Sequence, residues 1–423
     1  MIQWTPWLVL LAAIAPLGAQ SPVIAIVGGT VYPVAGPRLE NATVLIQDGR
    51  ISAVGTNVAV PAGAQRIEAA GKWVTPGLIN AVSVLGLVEI PLSGGAMDNT
   101  ARGTNNIAAA FRPWEALDAA SPLWAATRND GITTVGVRPS SNLIAGQHAL
   151  VDLVTAPGQD MLRRAPSAMV AEVQSATAAG VESRGELVAK LRQLLDDARE
   201  WPARRTNVEE NRSRPLAAPP ADLEALQPVL AGTLPLFVFA DRAAEIDAVL
   251  RIAVDYKLRV VLGGASEAWQ RADRLAAAGI PVVVGGIRNI PSSFDKLGSR
   301  EDNAAVLRRA GVTVLLVSDS YGNGEHFNAR NVRFEAGNAV ANGLPWDEAL
   351  RALTLAPAEV FGVADRVGSL QTGLDANVVV WTGDPFEFST VAEAVIIRGT
   401  RVDAPSRQDE LMRRYRTLPP TWR

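Results

Sequence analysis

The middle of the chain alternates short, strand-like apolar runs with longer, helix-like amphipathic runs. Segments 243–256, 266–278 and 300–310 have the helical period. Such alternation is typical of parallel strands joined by crossover helices. The strand-like runs lie at 77–84, 132–137, 149–154, 168–173, 234–240, 258–262, 280–284 and 312–317. Because eight parallel strands close a barrel, the pattern predicts an α/β fold, a (β/α)8 TIM barrel over residues 75–361.

Shorter alternating runs, typical of small sheets, flank this segment on both sides. In residues 21–74 the pair Asp48-Gly49 separates two such runs and predicts a two-residue hairpin turn. A sheet of this size is not stable alone. We therefore expect residues 362–403 to supply partner strands, which gives a small composite β-sandwich formed by the N- and C-terminal flanks.

Two polar segments are expected outside these domains. Residues 200–221 are rich in proline and charge, which predicts an exposed excursion without regular structure. Residues 404–423 form a charged segment that is either a tail or a docking segment.

Residues 1–20 are typical of a secretory signal peptide. Trp7 to Ala19 form an apolar run that is too short for a comfortable membrane span but resembles the core of a signal. The preceding MIQWTP lacks Lys and Arg, so an uncleaved anchor is the alternative. Cleavage near Gly18-Ala19-Gln20 would leave a periplasmic or secreted protein with no stable membrane span.

The composition excludes several kinds of site. The 423 residues contain no cysteine, which excludes disulfides, thiolate metal ligands and a cysteine nucleophile. The two histidines are His148 and His326, whereas an imidazole-rich binuclear centre would use about three or four. The net charge of −3, without a long basic run, gives no indication of a nucleic-acid partner.

One strand-like segment ends where metal chemistry would place histidines. Side chains at positions i and i+2 of a strand point the same way, so His-x-His at a barrel strand's end grips one metal ion. In GKWVTPGLINAVSVLG, Gly71 to Gly86, the corresponding residues are Val82-Ser83-Val84. Because valine has no lone pair to donate, this segment predicts a hydrolase scaffold without its metal clamp.

Several segments together carry a family resemblance. They are IQDGRISAVG, GKWVTPGLIN, LLVSDS, ALTLAPAEVFGVADRVGSLQTGLDANVVVWTGDP and VIIRGTRV, in this order. With them the sequence resembles the amidohydrolase superfamily, in particular its imidazolonepropionase-like branch. The resemblance implies a barrel with one or two divalent metals, zinc or another, that activate water against a carbon–nitrogen bond.

The resemblance also implies where metal ligands would lie. They are a His-x-His after strand 1, a carboxylated Lys or a Glu after strand 4, a His after each of strands 5 and 6, and an Asp after strand 8. The last position corresponds to Asp319, which is the candidate catalytic residue. The other positions correspond to Val82 and Val84, Glu172, Ala240-Asp241, and Gly263-Gly264. We therefore expect no metal ligand set and no metal cofactor.

Four residues are candidates for the site, and each also has a structural interpretation. Asp319 is a candidate acid or base, but an aspartate between two serines also caps loops. His148 beside Arg138 is a candidate substrate-binding residue at the barrel mouth, or a loop histidine bonded to neighbouring backbone. His326 lies seven residues after Asp319 on a glycine-rich loop. If this loop folds over the pocket, His326 is a candidate substrate-binding residue beside Asp319.

Three functions remain open. We favour a degenerate, metal-free amidohydrolase-like protein that binds a small molecule or pairs, as a homo- or hetero-oligomer, with a related active amidohydrolase. A barrel mouth stays concave after its ligands are lost. The alternative is an active hydrolase of carbon–nitrogen bonds with a reduced site around Asp319. A purely structural surface protein is the third.

Overall fold

The computed structural model describes residues 23–90, 93–140, 143–154, 160–174, 180–210, 214–285, 291, 293–318, 328–402 and 405–416. The predicted signal peptide, residues 1–20, lies outside them. The strands are β1 (Ile24–Val31), β2 (Leu39–Gln47), β3 (Arg50–Gly55), β4 (Gln65–Glu68), β5 (Trp73–Pro76), β6 (Leu78–Ser83), β7 (Ile132–Val137), β8 (Ile144–Asp152), β9 (Leu162–Glu172), β10 (Leu236–Ala240), β11 (Val260–Gly264), β12 (Val282–Gly285), β13 (Val314–Val317), β14 (Val378–Trp381), β15 (Ala392–Ile397) and β16 (Thr400–Val402).

The helices surround the strands or join them. They are α1 (Pro122–Asn129), α2 (Arg184–Glu209), α3 (Pro220–Ala225), α4 (Gln227–Leu230), α5 (Ala243–Tyr256), α6 (Ala272–Ala277), α7 (Asn303–Arg309), α8 (Val332–Ala341), α9 (Trp346–Ala352), α10 (Leu355–Val360) and α11 (Arg407–Tyr415). In the described part of the chain, no helix is both long enough and apolar enough to cross a membrane.

One sheet combines the two ends of the chain. Its order is β16-β15-β14-β5-β1-β2-β3, and β4 pairs with β1. Strand β5 runs parallel to β1 and antiparallel to β14, so it joins the N-terminal strands to the C-terminal ones. The predicted hairpin connects β2 to β3, and Asp48 and Gly49 take the positive φ values of 50° and 77° that such a turn requires. The composite flank expected from the sequence is therefore present.

The second sheet is the barrel. Its order is β13-β12-β11-β10-β9-β8-β7-β6, and β13 also contacts β6, so that the sheet is nearly closed. The predicted barrel is confirmed with one difference, because β8 runs antiparallel to both β7 and β9. The connection from β7 to β8 spans residues 138–143, which is too short for the crossover that a parallel pair needs.

The expected excursion at residues 200–221 is wrong over much of its length. Helix α2 continues to Glu209 with Pro202 inside it, and α3 begins at Pro220. Leu194, Ala198 and Trp201 recur with helical spacing and are buried. Packing of this apolar face against its neighbours α3, α4 and α5 outweighs the cost of one proline in the helix.

The barrel interior is filled by side chains. One buried cluster contains Ile79, Leu150, Phe237, Val261 and Leu315, which come from five different barrel strands. Phe361, directly after α10, is 1% exposed and belongs to the same cluster. The interior is thus a packed core. Any site that is open to a ligand through the barrel must lie at the ends of the strands.

A buried ion-pair network fastens the barrel to the composite sheet. Arg163 on β9 pairs with both Asp152 on β8 and Asp375, which precedes β14. Burial alone would raise the pKa of Asp375, but hydrogen bonds from Arg163 and Arg366 hold it below its ordinary value. Arg398 donates to Asp152 at 2.6 Å and adds a further link. These charges fix the position of the C-terminal strands against β8 and β9.

Candidate functional site

The carboxyl ends of seven barrel strands meet at one end of the barrel, which we call the mouth. In barrels of this architecture, functional side chains lie at this end. The antiparallel strand β8 instead begins there, at Ile144. The described side chains at the mouth include Val82, Arg138, Glu172, Phe239 and Asp241.

Val82 and Val84 lie at the end of the first barrel strand, as expected. Their side chains are 4% and 6% exposed, and Val82 belongs to the apolar cluster of the barrel interior. Ser83 between them is fully buried, and its hydroxyl oxygen accepts a hydrogen bond from the Leu85 N–H at 3.0 Å. This strand end therefore contributes packing where a metal clamp would contribute imidazoles.

An ion pair occupies the mouth between the second and fourth barrel strands. Glu172 is the last residue of β9, and its Oε1 accepts a hydrogen bond from Arg138 at 3.0 Å. The two side chains are 10% and 11% exposed. The Arg138 guanidinium also lies 4.5 Å from the centroid of the Phe239 ring, which is within the range of a cation–π contact. The carboxylate at the strand-four position therefore faces a guanidinium.

Aromatic rings exclude a side chain at the sixth strand. A Cβ atom added to Gly263 would lie 2.8 Å from both the Phe237 and the Phe239 rings. These rings contact each other with centroids 4.6 Å apart. A histidine at position 263 would have to displace them, so the glycine is a consequence of the aromatic filling.

Asp241 follows the fifth strand and is held by structural hydrogen bonds. It is 2% exposed, and its Oδ1 accepts from the Ser266 hydroxyl at 2.6 Å. Its backbone N–H and that of Arg242 donate to Oε2 of Glu245 on α5, at 3.0 and 3.1 Å. This arrangement satisfies free N–H groups at the start of the helix. The contacts of Asp241 therefore stabilise the start of α5 and the loop at Ser266.

The structure does not bring His148 to the mouth, and its expected position is wrong. His148 lies in β8, is fully buried, and stacks on Phe361 with ring centroids 4.8 Å apart. Its Nδ1 is 2.6 Å from the Ser167 hydroxyl and its Nε2 is 3.0 Å from the Ala81 carbonyl oxygen. Because a carbonyl only accepts, Nε2 carries the proton and Ser167 donates to Nδ1. Both ring nitrogens are therefore engaged inside the core.

Burial determines the charge state of His148. It lowers the pKa of the imidazole from 6.5 to about 4, although the hydrogen bond to Ala81 acts in the opposite direction. The ring also requires Gly136, because a Cβ there would lie 2.5 Å from Nε2 and 2.2 Å from the Ala81 oxygen. At neutral pH His148 is a neutral, stacked core side chain.

Two of the candidate residues, Asp319 and His326, lie outside the described residues. Ser318 follows the eighth barrel strand, β13, and is the last residue described before the gap. Its hydroxyl oxygen accepts a hydrogen bond from Nδ2 of Asn80 at 3.0 Å. Asn80 also donates to the Ala329 carbonyl at 3.0 Å and is fully buried. This amide joins the first strand to the eighth, a role that the sequence did not reveal.

The residues at the mouth do not fit the metal that the family resemblance implies. Among the residues that the structure describes, no three His, Asp or Glu side chains come together in a way that could hold a metal ion. The described ligand positions hold Val82 and Val84, a glutamate paired with Arg138, a buried Asp241 bonded to Ser266, and Gly263 packed under two rings. Valine and glycine side chains offer no donor atom for zinc, which binds nitrogen, sulfur and oxygen ligands.

Comparison with known proteins relates both fold and sequence to one family. Residues 230–402 match the model of the amidohydrolase family. Over 90 residues the chain is 38% identical to the amidohydrolase tasK of Hapsidospora irregularis. That match covers 21% of this chain and 9% of the relative, so the chain spans only a small part of the curated relative's length.

Solved structures share the architecture over most of the chain. An amidohydrolase from Thermotoga maritima MSB8 has a TM-score of 0.80 at 23% identity, covering 90% of this chain and all of that one. Molinate hydrolase has a TM-score of 0.54 at 20% identity and covers 91% and 95%. A zinc-bound adenosine deaminase from Xanthomonas campestris has a TM-score of 0.54 at 19% identity and covers 92% and 96%. The segment 230–402 is thus similar to the amidohydrolase family, and the barrel completed by a composite sheet is the fold of these solved amidohydrolase structures.

Proposed function

We propose that this protein is an amidohydrolase-superfamily member that does not carry out metal-dependent hydrolysis and acts instead as a small-molecule binding protein. The observation that carries the proposal is the Arg138–Glu172 ion pair at the mouth. In the metal-dependent pattern, a carboxylate at the strand-four position faces a metal cation. Here the same position faces a guanidinium, which supplies positive charge but has no open coordination position for water.

The filling of the other ligand positions supports the same conclusion. Val82 and the Phe239 ring are 4% and 7% exposed and occupy the space between the strand ends. Activation of water by a metal needs several donor atoms that converge on one point. An ion pair that lies among apolar side chains such as Val82 and Phe239 does not provide them. Polar groups on an apolar floor are, in contrast, what small-molecule sites use for orientation.

Metal content and hydrolysis are the first test. The protein is purified without chelator and analysed by elemental mass spectrometry, and it is then assayed against cyclic amides and dipeptides with and without added zinc or manganese. We expect far less than about one metal ion per chain and no turnover. A stoichiometric metal together with turnover that is lost in Asp319→Asn would overturn the proposal and support the reduced hydrolase site around Asp319.

Ligand binding is tested with the mouth ion pair itself. Small molecules released on denaturation are compared, by mass spectrometry, between the wild type and the double variant Arg138→Met, Glu172→Gln. We expect a compound that co-purifies with the wild type and not with the double variant. Arg259→Met removes an exposed arginine in the connection between α5 and β11 and is the matched control. Identical extracts from all three proteins would contradict binding at the mouth.

Export to the periplasm or the medium, predicted from residues 1–20, and pairing with an active relative are separate predictions. Cell fractionation tests the first. Co-purification with an active amidohydrolase from the same cells tests the second.

A further inference from the structure

A cavity of about 250 Å³ lies on the outer wall of the barrel, between the start of α2 and the facing side of α5. Its walls are mainly apolar and include Val173 after β9, Val188 on α2, and Ala248 and Ile252 on α5. Gly185 on α2 leaves it open, because a Cβ added there would meet a single neighbouring atom, at 3.9 Å. Small residues on the facing sides of the two helices, Gly185 and Ala248, thus leave a space of ligand size unfilled.

Charged groups stand at the two ends of this cavity. At one end, Nε of Arg184 donates to Oε1 of Glu245 at 2.6 Å. At the other end is Arg251, six residues further along α5 and so about 9 Å away along the helix axis. Arg251 is exposed, and among the described residues it makes no direct hydrogen bond or ion pair, although its charge acts at longer range on the Asp247 carboxylate one turn earlier on α5. The cavity therefore combines an apolar wall with a solvent-accessible guanidinium whose N–H groups are not engaged by a direct partner.

We propose that this cavity binds a small apolar carboxylate, whose hydrocarbon part lies against Ala248 and Ile252 and whose carboxylate pairs with Arg251. A guanidinium binds a carboxylate through two parallel, charge-assisted hydrogen bonds, which gives the ligand its orientation. The apolar wall contributes about 25 cal/mol for each Å² of hydrocarbon that leaves water. The volume is just below the usual range for ligand pockets, which favours one ring or a short chain.

The position of the cavity separates this inference from the proposed function. Glu245, which closes one end, also accepts the backbone N–H groups of Asp241 and Arg242 at the end of the fifth strand. The site is therefore near the mouth but is built from the outer helices. It does not require Arg138 or Glu172, so the two proposals can fail independently.

Titration calorimetry with phenylacetate and octanoate tests the site. The neutral alcohols 2-phenylethanol and 1-octanol are the ligand controls, since they keep the hydrocarbon part and lack the charge. We expect the acids to bind at least about 10-fold more tightly than the alcohols, and Arg251→Met to remove that difference. Arg251→Lys should retain part of it. Arg259→Met, an exposed arginine just beyond α5, is the matched control and should bind like the wild type.

Variants that fill the cavity provide an independent test. Ala248→Leu and Gly185→Leu place a side chain in the space from opposite walls, and each should abolish binding of both acids while leaving the melting temperature of the free protein close to that of the wild type. Amide hydrogen exchange should show protection at 184–188 and 244–252 when octanoate is added. Absence of acid binding, or binding that both filled variants retain, would overturn the proposal. Protection confined to Arg138 and Glu172 would assign the acid to the mouth and would also overturn it.

Discussion

Arg138 donates to Glu172 across 3.0 Å at the mouth of the barrel, with both side chains almost completely shielded from water. The two residues come from the ends of the second and fourth strands, and the antiparallel strand β8 lies between those strands in the sheet. The pair takes the place of the carboxylate-to-metal contact that the family resemblance implies. Its behaviour on mutation is therefore the most direct test of how this mouth is built.

We expect Arg138→Met to destabilise the protein by about 3 kcal/mol, because it leaves the Glu172 carboxylate buried without its partner. The double variant Arg138→Met, Glu172→Gln should lose less, since it removes both charges together. Urea unfolding of the two variants and the wild type measures the difference. A double variant that is less stable than the single one would show that Glu172 has another role at the mouth.

The stability of the protein should fall on acidification because of His148. Its pKa is about 4 in the folded protein and 6.5 when unperturbed, so the unfolded chain takes up the proton first as the pH falls. The contribution of neutral His148 to the free energy of unfolding is complete above pH 6.5 and is lost between pH 6.5 and about 4. At pH 5 the free energy of unfolding is lower by about 2 kcal/mol.

Denaturant unfolding at pH 7 and pH 5 measures this effect. His148→Gln has no titrating group at that position, and its stability should change less between the two pH values than that of the wild type. Equal changes in both proteins would mean that His148 is not the group responsible.

Restoring the first pair of family ligands should not restore a metal site. The double variant Val82→His, Val84→His adds two imidazoles, but Glu172 remains paired with Arg138 and the rings over Gly263 leave no room for a sixth-strand ligand. We expect zinc titration to leave the melting temperature of the variant unchanged. Tight zinc binding with hydrolytic turnover would contradict this account of the mouth.

The network around Arg163 should contribute far more to stability than the ion pairs on the surface. Arg163→Met removes the cation that Asp152 and Asp375 share and leaves them only the more exposed Arg398 and Arg366, so we expect a loss of about 3 kcal/mol. Arg192→Met breaks a 2.6 Å pair with Asp255, in which the side chains are 33% and 48% exposed, and is the matched control. We expect the control to lose less than about 1 kcal/mol, and equal losses would show that the network is not effectively buried.

The sequence predicted the larger features of the fold because they depend on local patterns. Strand β7 has the predicted bounds Ile132–Val137, and the hairpin at Asp48-Gly49 follows from two residues that tolerate positive φ. The direction of β8 was not predictable in this way, because an apolar run has the same pattern whether the strand is parallel or antiparallel to its neighbours. Helix α2 was not predicted, and its last ten residues were assigned to an exposed excursion, since Pro202 and many charges conceal the buried positions.

The site was less predictable than the fold because its contacts are not local. Arg138 and Glu172 were identified separately, but nothing in the 34-residue separation indicates that they pair. His148 was a candidate either for the mouth or for a loop with bonds to neighbouring backbone, whereas it is a core residue of β8 whose ring fits against Gly136. That valines and not histidines stand at positions 82 and 84 is visible in the sequence itself, because both positions lie on one strand end with a single residue between them.

The pairing of β5 with β14 also governs the order in which the protein can fold. Thr75 and Val379 are neighbours in the sheet although more than 300 residues separate them along the chain. Strand β5 therefore keeps an open edge, with unsatisfied backbone groups, until β14 has been synthesised about 300 residues later. Pairing over so long a separation is intrinsically slow, so the strands within residues 24–76 are made well before the sheet that contains them is complete.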